Sequence, residues 1–181
     1  LTALESKHVK QRPNLTGKIK HIFNIGSVRN YETLLPGSLT TTHGRLNILN
    51  FDQFLRDPIN LLKLFHISIK TGLLIHPDAL RFVTNHLSIV DDNFRNDKEA
   101  NEIFLDLLLN YDNPERALRH MNEVGLLGAF IPEFDRIVAM MQFNMYHSFT
   151  VDEHTIQCIR NLAEIENENL LEDLPIASQI L

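Results

Sequence analysis

The 181-residue sequence is poor in cysteine and has no long hydrophobic run. Its one cysteine, Cys158, has no partner for an internal disulfide, which favours a reducing, cytoplasmic compartment. No apolar run approaches the roughly 18 residues of a membrane span, and the first residues lack a signal-peptide layout. Basic residues are a minority, since 17 Lys and Arg stand against 23 Asp and Glu. These absences argue against a membrane protein and against a general nucleic-acid binder.

The hydrophobic content is 44%, enough to bury a core, and helix signals dominate from residue 57 onward. Prolines beside acidic or amide residues mark three helix starts, an aspartate marks a fourth, and glycines mark two helix ends. The starts are Asp57-Pro58, Pro77-Asp78, Asp97 and Asn113-Pro114-Glu115, and the ends are Gly72 and Gly125. The first of these helices is apolar on nearly every face, so we expect it to be central. Short connections predict an all-α fold, a compact helical bundle.

Strand signals are confined to the N-terminal region. Residues 18–25 and 45–49 are short, β-branched or partly alternating, and bounded by glycines, which predicts a short two-stranded ribbon. Residues 26–44 have the Gly, Ser, Thr, Asn and Pro content of a long loop. We expect no other sheet.

Candidate functional residues are concentrated in the polar stretch 141–155. Thr150 and Glu153 form a T-x-x-E capping box, which predicts that a helix begins there. His154 lies in the first turn of this helix, and His147 lies just before it. Imidazole is a common metal ligand, but two histidines are fewer than a usual divalent site requires. From the residues alone, a metal site and a hydrogen-bonded structural role both stay open.

The same helix has one apolar side, which we expect to pack against the bundle. At about 100° per residue, this side consists of Val151, Thr155, Cys158, Ile159, Leu162 and Ile165. His154 lies at its edge. Cys158 is therefore expected to be a core residue and not a nucleophile.

Four segments resemble a known family, and they occur in that family's order. They are FLRDPINLLKLF at 54–65, IHPDALR at 75–81, NPERALRHMNEVGLLGAFIPE at 113–133 and RIVAMMQFNMYHSFTVDEHTI at 136–156. Together they resemble the region that leads into the HD domain of the bacterial bifunctional PII uridylyltransferase/uridylyl-removing enzymes. The similarity covers most of the chain from about residue 45 onward.

The resemblance implies roles for three residues. HD phosphohydrolases hold a divalent metal, here Mg or Mn, through a first histidine, a later His-Asp doublet and a final Asp. His154 matches the first histidine and is the candidate metal ligand, while His147 is a weaker candidate for a supporting or substrate-side role. Arg56 lies in an Arg-Asp-Pro pattern similar to one beside the active core of CCA-adding enzymes, which makes it a candidate for substrate binding. An ion pair at the helix start is its alternative.

The sequence also departs from the family. It contains no Gly-Ser followed by Asp-x-Asp, which the transferase core requires, and no His-Asp doublet. With no initiating Met, we expect an internal fragment in three parts. These are residues 1–50, the end of the nucleotidyltransferase region and a linker; 51–146, a helical connector; and 147–181, the start of a truncated HD domain. We expect the fragment to be inactive and to bind metal weakly.

The function implied for the parent enzyme is control of the PII signal protein. It would transfer UMP from UTP to a PII tyrosine, remove that UMP by hydrolysis, and respond to glutamine. One alternative is the middle region of a CCA-adding tRNA nucleotidyltransferase. Another is a helical interaction module without chemistry.

Overall fold

The computed structural model describes residues 37–111, 113–138 and 150–167, together with Leu35 and Ile176. Within these ranges, two short strands precede a series of helices. The elements are β1 (Leu39–Thr42), β2 (Arg45–Ile48), α1 (Phe51–Leu55), α2 (Asn60–Thr71), α3 (Pro77–Asn85), α4 (Asp92–Asn96), α5 (Lys98–Leu109), α6 (Glu115–Glu123), α7 (Leu126–Phe130), α8 (Pro132–Asp135) and α9 (Val151–Glu166). The mostly helical architecture with a short ribbon is confirmed.

The ribbon is an antiparallel hairpin in which β1 pairs with β2. The β2 strand was predicted, but its partner differs from expectation, because Leu39–Thr42 belongs to the stretch 26–44 that was interpreted as loop. Three consecutive threonines favour a strand here, and His43 and Gly44 both take positive φ, as a tight two-residue hairpin turn requires. The expected strand at 18–25 lies outside the described residues.

The ribbon is joined to the helices through β2. The Leu46 amide donates to the Leu74 carbonyl over 2.8 Å, and the His76 amide donates to the Leu46 carbonyl over 2.8 Å. The segment between α2 and α3 therefore continues the hydrogen bonding on the free side of β2. The Leu46 side chain is completely buried, so the ribbon contributes to the helical core.

Helix α2 forms the centre of the bundle, as its apolar sequence predicts. Its residues Leu61, Leu62, Leu64 and Phe65 have no solvent exposure, and the helix packs on α5 and α6. Burial of this kind stabilises by about 1.5–3 kcal/mol for each large apolar side chain. The core holds α5 and α6 at fixed positions, and α6 in turn carries α9.

The predicted helix starts agree with the structure except at α2. Asp97 caps α5 by accepting from the Ala100 amide over 3.0 Å, and α3 and α6 begin at Pro77 and Glu115. At α2 the Asp57 carboxylate accepts from the Ile59 amide over 3.1 Å, and a turn over 57–59 precedes the helix. The side-chain bond competes with the helical backbone pattern, so α2 begins at Asn60.

Both predicted glycine ends are confirmed. Gly72 and Gly125 follow α2 and α6 with φ of 73° and 82°, a left-handed conformation that glycine adopts without steric cost. The Arg116 guanidinium donates to the carbonyls of Gly72 and Leu73, over 3.2 and 3.1 Å, which fixes the end of α2 against α6. Among the described helices, none has both the length and the apolar character that crossing a membrane would require.

Candidate functional site

The start of α9 lies where the sequence places it, but its side chains are used differently. Thr150 is the N-cap residue in extended conformation, and its carbonyl accepts from the His154 amide over 2.9 Å. The Thr150 side chain takes no bond from the first turn, a turn that the structure describes completely. The Glu153 carboxylate does not complete the expected capping box, because it binds the Arg119 guanidinium on α6.

Helix α9 is attached to α6 by a group of polar side chains, which we call the α6–α9 seam. Its members are Glu115, Arg119 and Asn122 on α6, and Asp152, Glu153 and Arg160 on α9. The Asn122 amide donates to Asp152 over 2.7 Å, and Asp152 is only 5% exposed. A buried carboxylate is tolerated only when it is hydrogen-bonded. The Asn122 contact therefore fixes the rotation of α9 about its own axis.

Arg119 makes ion pairs with acidic residues on both helices of the seam. Its guanidinium binds Glu115 over 2.8 Å as well as Glu153. Hydrogen bonds to Glu115 and then Glu153 raise the pKa of Arg119 above its already high ordinary value, despite opposing desolvation. Arg160 adds a longer contact to Glu115, at 3.7 Å. A single cation thus joins carboxylates from both helices.

The seam rotates α9 so that only part of its predicted apolar side meets the bundle, with Ile159 packed against the core. Asp152 and Ile156 are the buried residues of the helix, whereas His154, Cys158 and Leu162 are exposed. At about 100° per residue, the observed inner face is rotated by about one residue from the expected one. Cys158 is therefore not a core residue, which corrects the sequence-based expectation.

His154 lies on the outward face of α9, and among the described residues Cys158 is a potential metal-ligating neighbour. Its Nε2 atom is 3.7 Å from the Sγ atom of Cys158, one turn further along the helix. Asp152 and Glu153 are held by Asn122 and Arg119, so both carboxylates have partners across the seam. The other histidine candidate, His147, lies outside the described residues.

The described residues do not form a complete site for the hard divalent metal that the resemblance implies. In the ranges 37–111, 113–138 and 150–167, no three His, Cys, Asp or Glu side chains are close enough to share an ion. A usual metal site needs three or four protein ligands. The role of His154 as a ligand for Mg or Mn therefore stays a prediction, and no catalytic step follows from the described residues.

Arg56, the candidate for substrate binding, is exposed at the end of α1. The alternative interpretation was an ion pair at the start of α2. Asp57 makes its ion pair with Lys63 instead, over 2.8 Å, and Arg56 pairs with no acid in the part of the chain that the structure describes. The guanidinium is thus accessible, and its role toward substrate stays a prediction.

Sequence reasoning missed a polar cluster between α2 and α5. His66 Nε2 is 2.5 Å from the Asp106 carboxylate and 3.1 Å from the Tyr111 hydroxyl, and that hydroxyl is 3.4 Å from Asp106. The residues are 40 and 45 positions apart in sequence, so local patterns do not connect them. The available signal was a histidine inside a nearly all-apolar helix, because such a group needs a polar partner.

Ionisation in this cluster follows from its contacts. Burial, then the charge of Asp106 and its hydrogen bond, raise the pKa of Tyr111 to about 12. Burial opposes ionisation of Asp106, but hydrogen bonds from Asn110 and His66 outweigh it and lower the pKa of this carboxyl. Both directions keep Asp106 ionised and Tyr111 protonated near neutral pH. The mutual contacts of these three side chains indicate a structural clamp between α2 and α5.

Comparison with known proteins gives one family and close relatives. Residues 40–130 match the profile described as the third domain of the uridylyltransferase GlnD. The chain is 55% identical over all 181 residues to a bifunctional uridylyltransferase/uridylyl-removing enzyme of Ruegeria pomeroyi. It is 51% identical, again over its whole length, to the enzyme of that name in Cereibacter sphaeroides. The chain spans 19% and 18% of these two relatives, about a fifth of their length.

Proposed function

The chain belongs to the family of bifunctional uridylyltransferase/uridylyl-removing enzymes, and from this we propose that it is a helical connector inside such an enzyme. The parent enzyme acts on the PII signal protein in the cytoplasm. In one direction, a tyrosine hydroxyl of PII attacks the α-phosphate of UTP, so UMP is attached and pyrophosphate leaves. In the other, water attacks the same phosphorus, and UMP and the free tyrosine are released. Glutamine decides which direction dominates.

Each of the three parts expected from the sequence has its own proposed role in the parent enzyme. Residues 1–50 end the transferase region, 51–146 form the connector, and 147–181 begin the HD domain that removes UMP. In this arrangement, His154 supplies the first histidine ligand to a divalent Mg or Mn ion, and His147 has a supporting or substrate-side role. The metal would polarise the phosphate and activate water, while other ligands come from outside the described residues.

The observation that carries the proposal is the α6–α9 seam. It holds Asp152 and Glu153 against the connector, so His154 is presented on the opposite face of α9. A ligand must be held in a fixed direction to select a metal and a reaction geometry. The connector thus orients the first ligand of the removal centre, which supports a mechanical link between the two halves of the enzyme.

Arg56 is proposed to serve the transferase side. Its guanidinium is exposed and free of the neighbouring Asp57, which is bound to Lys63. Guanidinium groups bind phosphate through two parallel hydrogen bonds, so Arg56 is suited to a nucleotide phosphate presented by the preceding domain. The tRNA nucleotidyltransferase alternative shares this arginine pattern, but the family and both relatives favour a uridylyltransferase.

The proposal can be tested in a chimera. The 181 residues replace the matching segment of the Ruegeria pomeroyi relative, with which they are 55% identical. We expect the chimera both to uridylylate PII from UTP and to remove the UMP. His154→Ala should abolish removal and leave transfer within a few-fold of the unsubstituted chimera. Transfer should fall with Arg56→Ala, while removal stays.

A control and two contradicting outcomes complete the design. His43→Asn removes an exposed histidine and keeps a residue type that tolerates the positive φ of 51° found there. It should change neither reaction. Full removal activity in the His154→Ala chimera would disprove the ligand assignment. Turnover of UTP or uridylylated PII by the 181-residue chain alone would disprove the connector role.

A further inference from the structure

We propose that an open cleft between α1 and α3 binds a nucleoside phosphate, with the base against phenylalanine rings and the phosphate on an arginine. The cleft is lined by Phe51 at the start of α1 and by one face of α3. Its volume is about 310 Å³, at the lower end of the range for small-molecule sites. The inference goes beyond the proposed function, because neither His154 nor Arg56 lines this cleft.

The apolar part of the cleft belongs to a stack of aromatic rings. Phe82 stacks with Phe51 at a centroid distance of 4.4 Å and an interplanar angle of 18°, and with His86 at 4.0 Å and 28°. Phe54, which is 1% exposed, meets Phe82 edge to face at 6.0 Å and 84°. The stack is therefore fixed to the core, while Phe51 is 45% exposed. A planar ring in the cleft would contact both lining phenylalanines, as nucleobases contact aromatic side chains in other proteins.

Three polar side chains on the same face of α3 surround the aromatic surface. Asp78, Arg81 and Asn85 share this face with Phe82, because the four residues follow one another at spacings of three and four. The Arg81 guanidinium is 73% exposed, and its contact to Asp78 is long, at 3.7 Å. The Asn85 side chain is exposed and makes no hydrogen bond within the part of the chain that the structure describes. These groups are therefore available to a ligand.

This combination fits a nucleotide better than an aromatic side chain of another protein. An aromatic side chain would use the phenylalanine rings alone and leave the three polar groups unused. On a nucleoside phosphate, the phosphate fits the Arg81 guanidinium, the sugar hydroxyls fit the Asp78 carboxylate, and the edge of the base fits the Asn85 carboxamide. A carboxamide both donates and accepts, and stacking tolerates every base, so we expect uridine and adenosine monophosphates to bind alike.

The test is an NMR titration of the 181-residue chain with UMP, AMP, uridine and ribose 5-phosphate. We expect UMP and AMP to bind with affinities within a few-fold of each other. Uridine, which lacks the phosphate, should bind about threefold more weakly or less tightly still. Ribose 5-phosphate lacks the base and should not saturate the chain at millimolar concentrations. Binding of ribose 5-phosphate as tight as that of UMP, or no binding of UMP at all, would overturn the proposal.

Substitutions at Phe51 test the aromatic contact. Phe51→Ala should weaken UMP binding by about fivefold or more, because the ring is lost. Phe51→Trp keeps an aromatic ring, so it should bind UMP at least as tightly as the unsubstituted chain, and it serves if the alanine variant folds poorly. Leu105→Ala is the matched control, since Leu105 is a 53% exposed apolar residue on α5. Equal UMP affinity in Phe51→Ala, with equal helix content by circular dichroism, would count against the cleft, as would lost binding in Phe51→Trp.

Arginine substitutions distinguish this inference from the proposed function. Arg81→Ala should weaken UMP binding by about threefold and leave uridine binding unchanged. Lys98→Ala, which removes a 90% exposed cation on α5, should change neither. If Arg56→Ala weakens UMP binding and Arg81→Ala does not, the phosphate lies at the end of α1, so the cleft is wrong and the role of Arg56 gains support. A chain that binds no nucleotide leaves the chimera predictions for His154 and Arg56 as they stand.

Discussion

Asn122 on α6 donates a hydrogen bond of 2.7 Å to the buried carboxylate of Asp152 on α9. The two residues are 30 positions apart in sequence, and ion pairs of Glu115 with Arg160 and of Arg119 with Glu153 also join their helices. Their bond sets which face of α9 meets the connector. The direction of His154 therefore depends on a polar pair that makes no contact with His154 itself.

Removal of Asp152 should destabilise the chain more than removal of an exposed acid. Asp152→Ala leaves the half-buried Asn122 amide without this acceptor, and we expect a loss of about 1–3 kcal/mol in the free energy of unfolding. The matched control is Glu102→Ala, since Glu102 is 64% exposed and its contact to Lys98 is on the surface. Urea unfolding followed by circular dichroism measures both, and equal losses would contradict the role of the buried pair.

Arg119→Ala should loosen α9 with a smaller loss of stability. The substitution removes the cation that joins Glu115 and Glu153, but the Arg119 side chain is 35% exposed and solvent screens its charge. We expect about 0.5–1 kcal/mol from urea unfolding, and faster amide exchange confined to α9. Arg81→Ala is the control, because Arg81 is 73% exposed and pairs with Asp78 at 3.7 Å. Uniform exchange across α6 and α9 would count against the prediction.

Tyr111 should ionise later than an ordinary tyrosine. Its pKa is raised from 10.0 to about 12. Because the folded value is higher, the associated stability is complete below pH 10 and is lost as the pH rises through about 12. A stopped-flow pH jump read by phenolate absorbance, compared with Tyr111→Phe, measures this titration before unfolding begins. A phenol that titrates at its ordinary value would show that the contact to Asp106 does not persist in solution.

Asp106 should contribute to stability above the ordinary carboxyl pKa. Hydrogen bonds from Asn110 and His66 outweigh desolvation and hold its pKa below 3.8. A lowered folded pKa stabilises the protein at pH values above 3.8, and this contribution is lost as the pH falls below that value. Urea midpoints of the wild type and of Asp106→Asn, measured from pH 6 downward, should therefore converge under acidic conditions. A gap that widens toward low pH would reverse the assigned sign.

Gly125→Ala should cost more than Gly72→Ala, although both glycines end helices with similar φ angles of 82° and 73°. A Cβ atom at Gly72 would have no neighbour within 4 Å, whereas one at Gly125 would lie 2.9 Å from a methyl carbon of Leu87. Backbone strain alone costs about 1–2 kcal/mol at both sites. The crowding at Gly125 adds a smaller cost, because the group that must move is the terminal methyl of the flexible Leu87 side chain. Thermal or urea unfolding of both variants gives the comparison, and identical losses would disprove the crowding.

Local chemistry made much of the fold predictable. Asp97 caps α5, Thr150 precedes α9, and Gly72 and Gly125 end their helices, because each depends on a residue and its immediate neighbours. The apolar surface of α2 likewise predicted its central place without any knowledge of its partners. The residues that determine these features lie in the same short segment of sequence as the features themselves.

The errors arise where distant residues decide the outcome. Hydrophobic periodicity chose the wrong face of α9, because it treats Asp152 as a solvent-exposed residue and has no knowledge of Asn122 across the seam. The clamp of His66, Asp106 and Tyr111 could not be predicted either, because His66 is 40 and 45 positions from its partners in the sequence. Of the candidate site residues, the sequence located His154 and the helix that carries it, while its direction and the proximity of Cys158 required the three-dimensional structure.

The bonding of β2 on both of its edges sets a limit on how small a stable piece of this protein can be. A shortened chain beginning at Phe51 would lose the groups that pair with Leu74 and His76, and it would uncover Ile75, which is 3% exposed. The amide of Leu49 also donates to the carbonyl of Ser38 over 2.8 Å. A minimal folding unit for crystallisation or NMR should therefore start before Ser38, so that it includes the hairpin that covers Ile75 and pairs with the segment between α2 and α3.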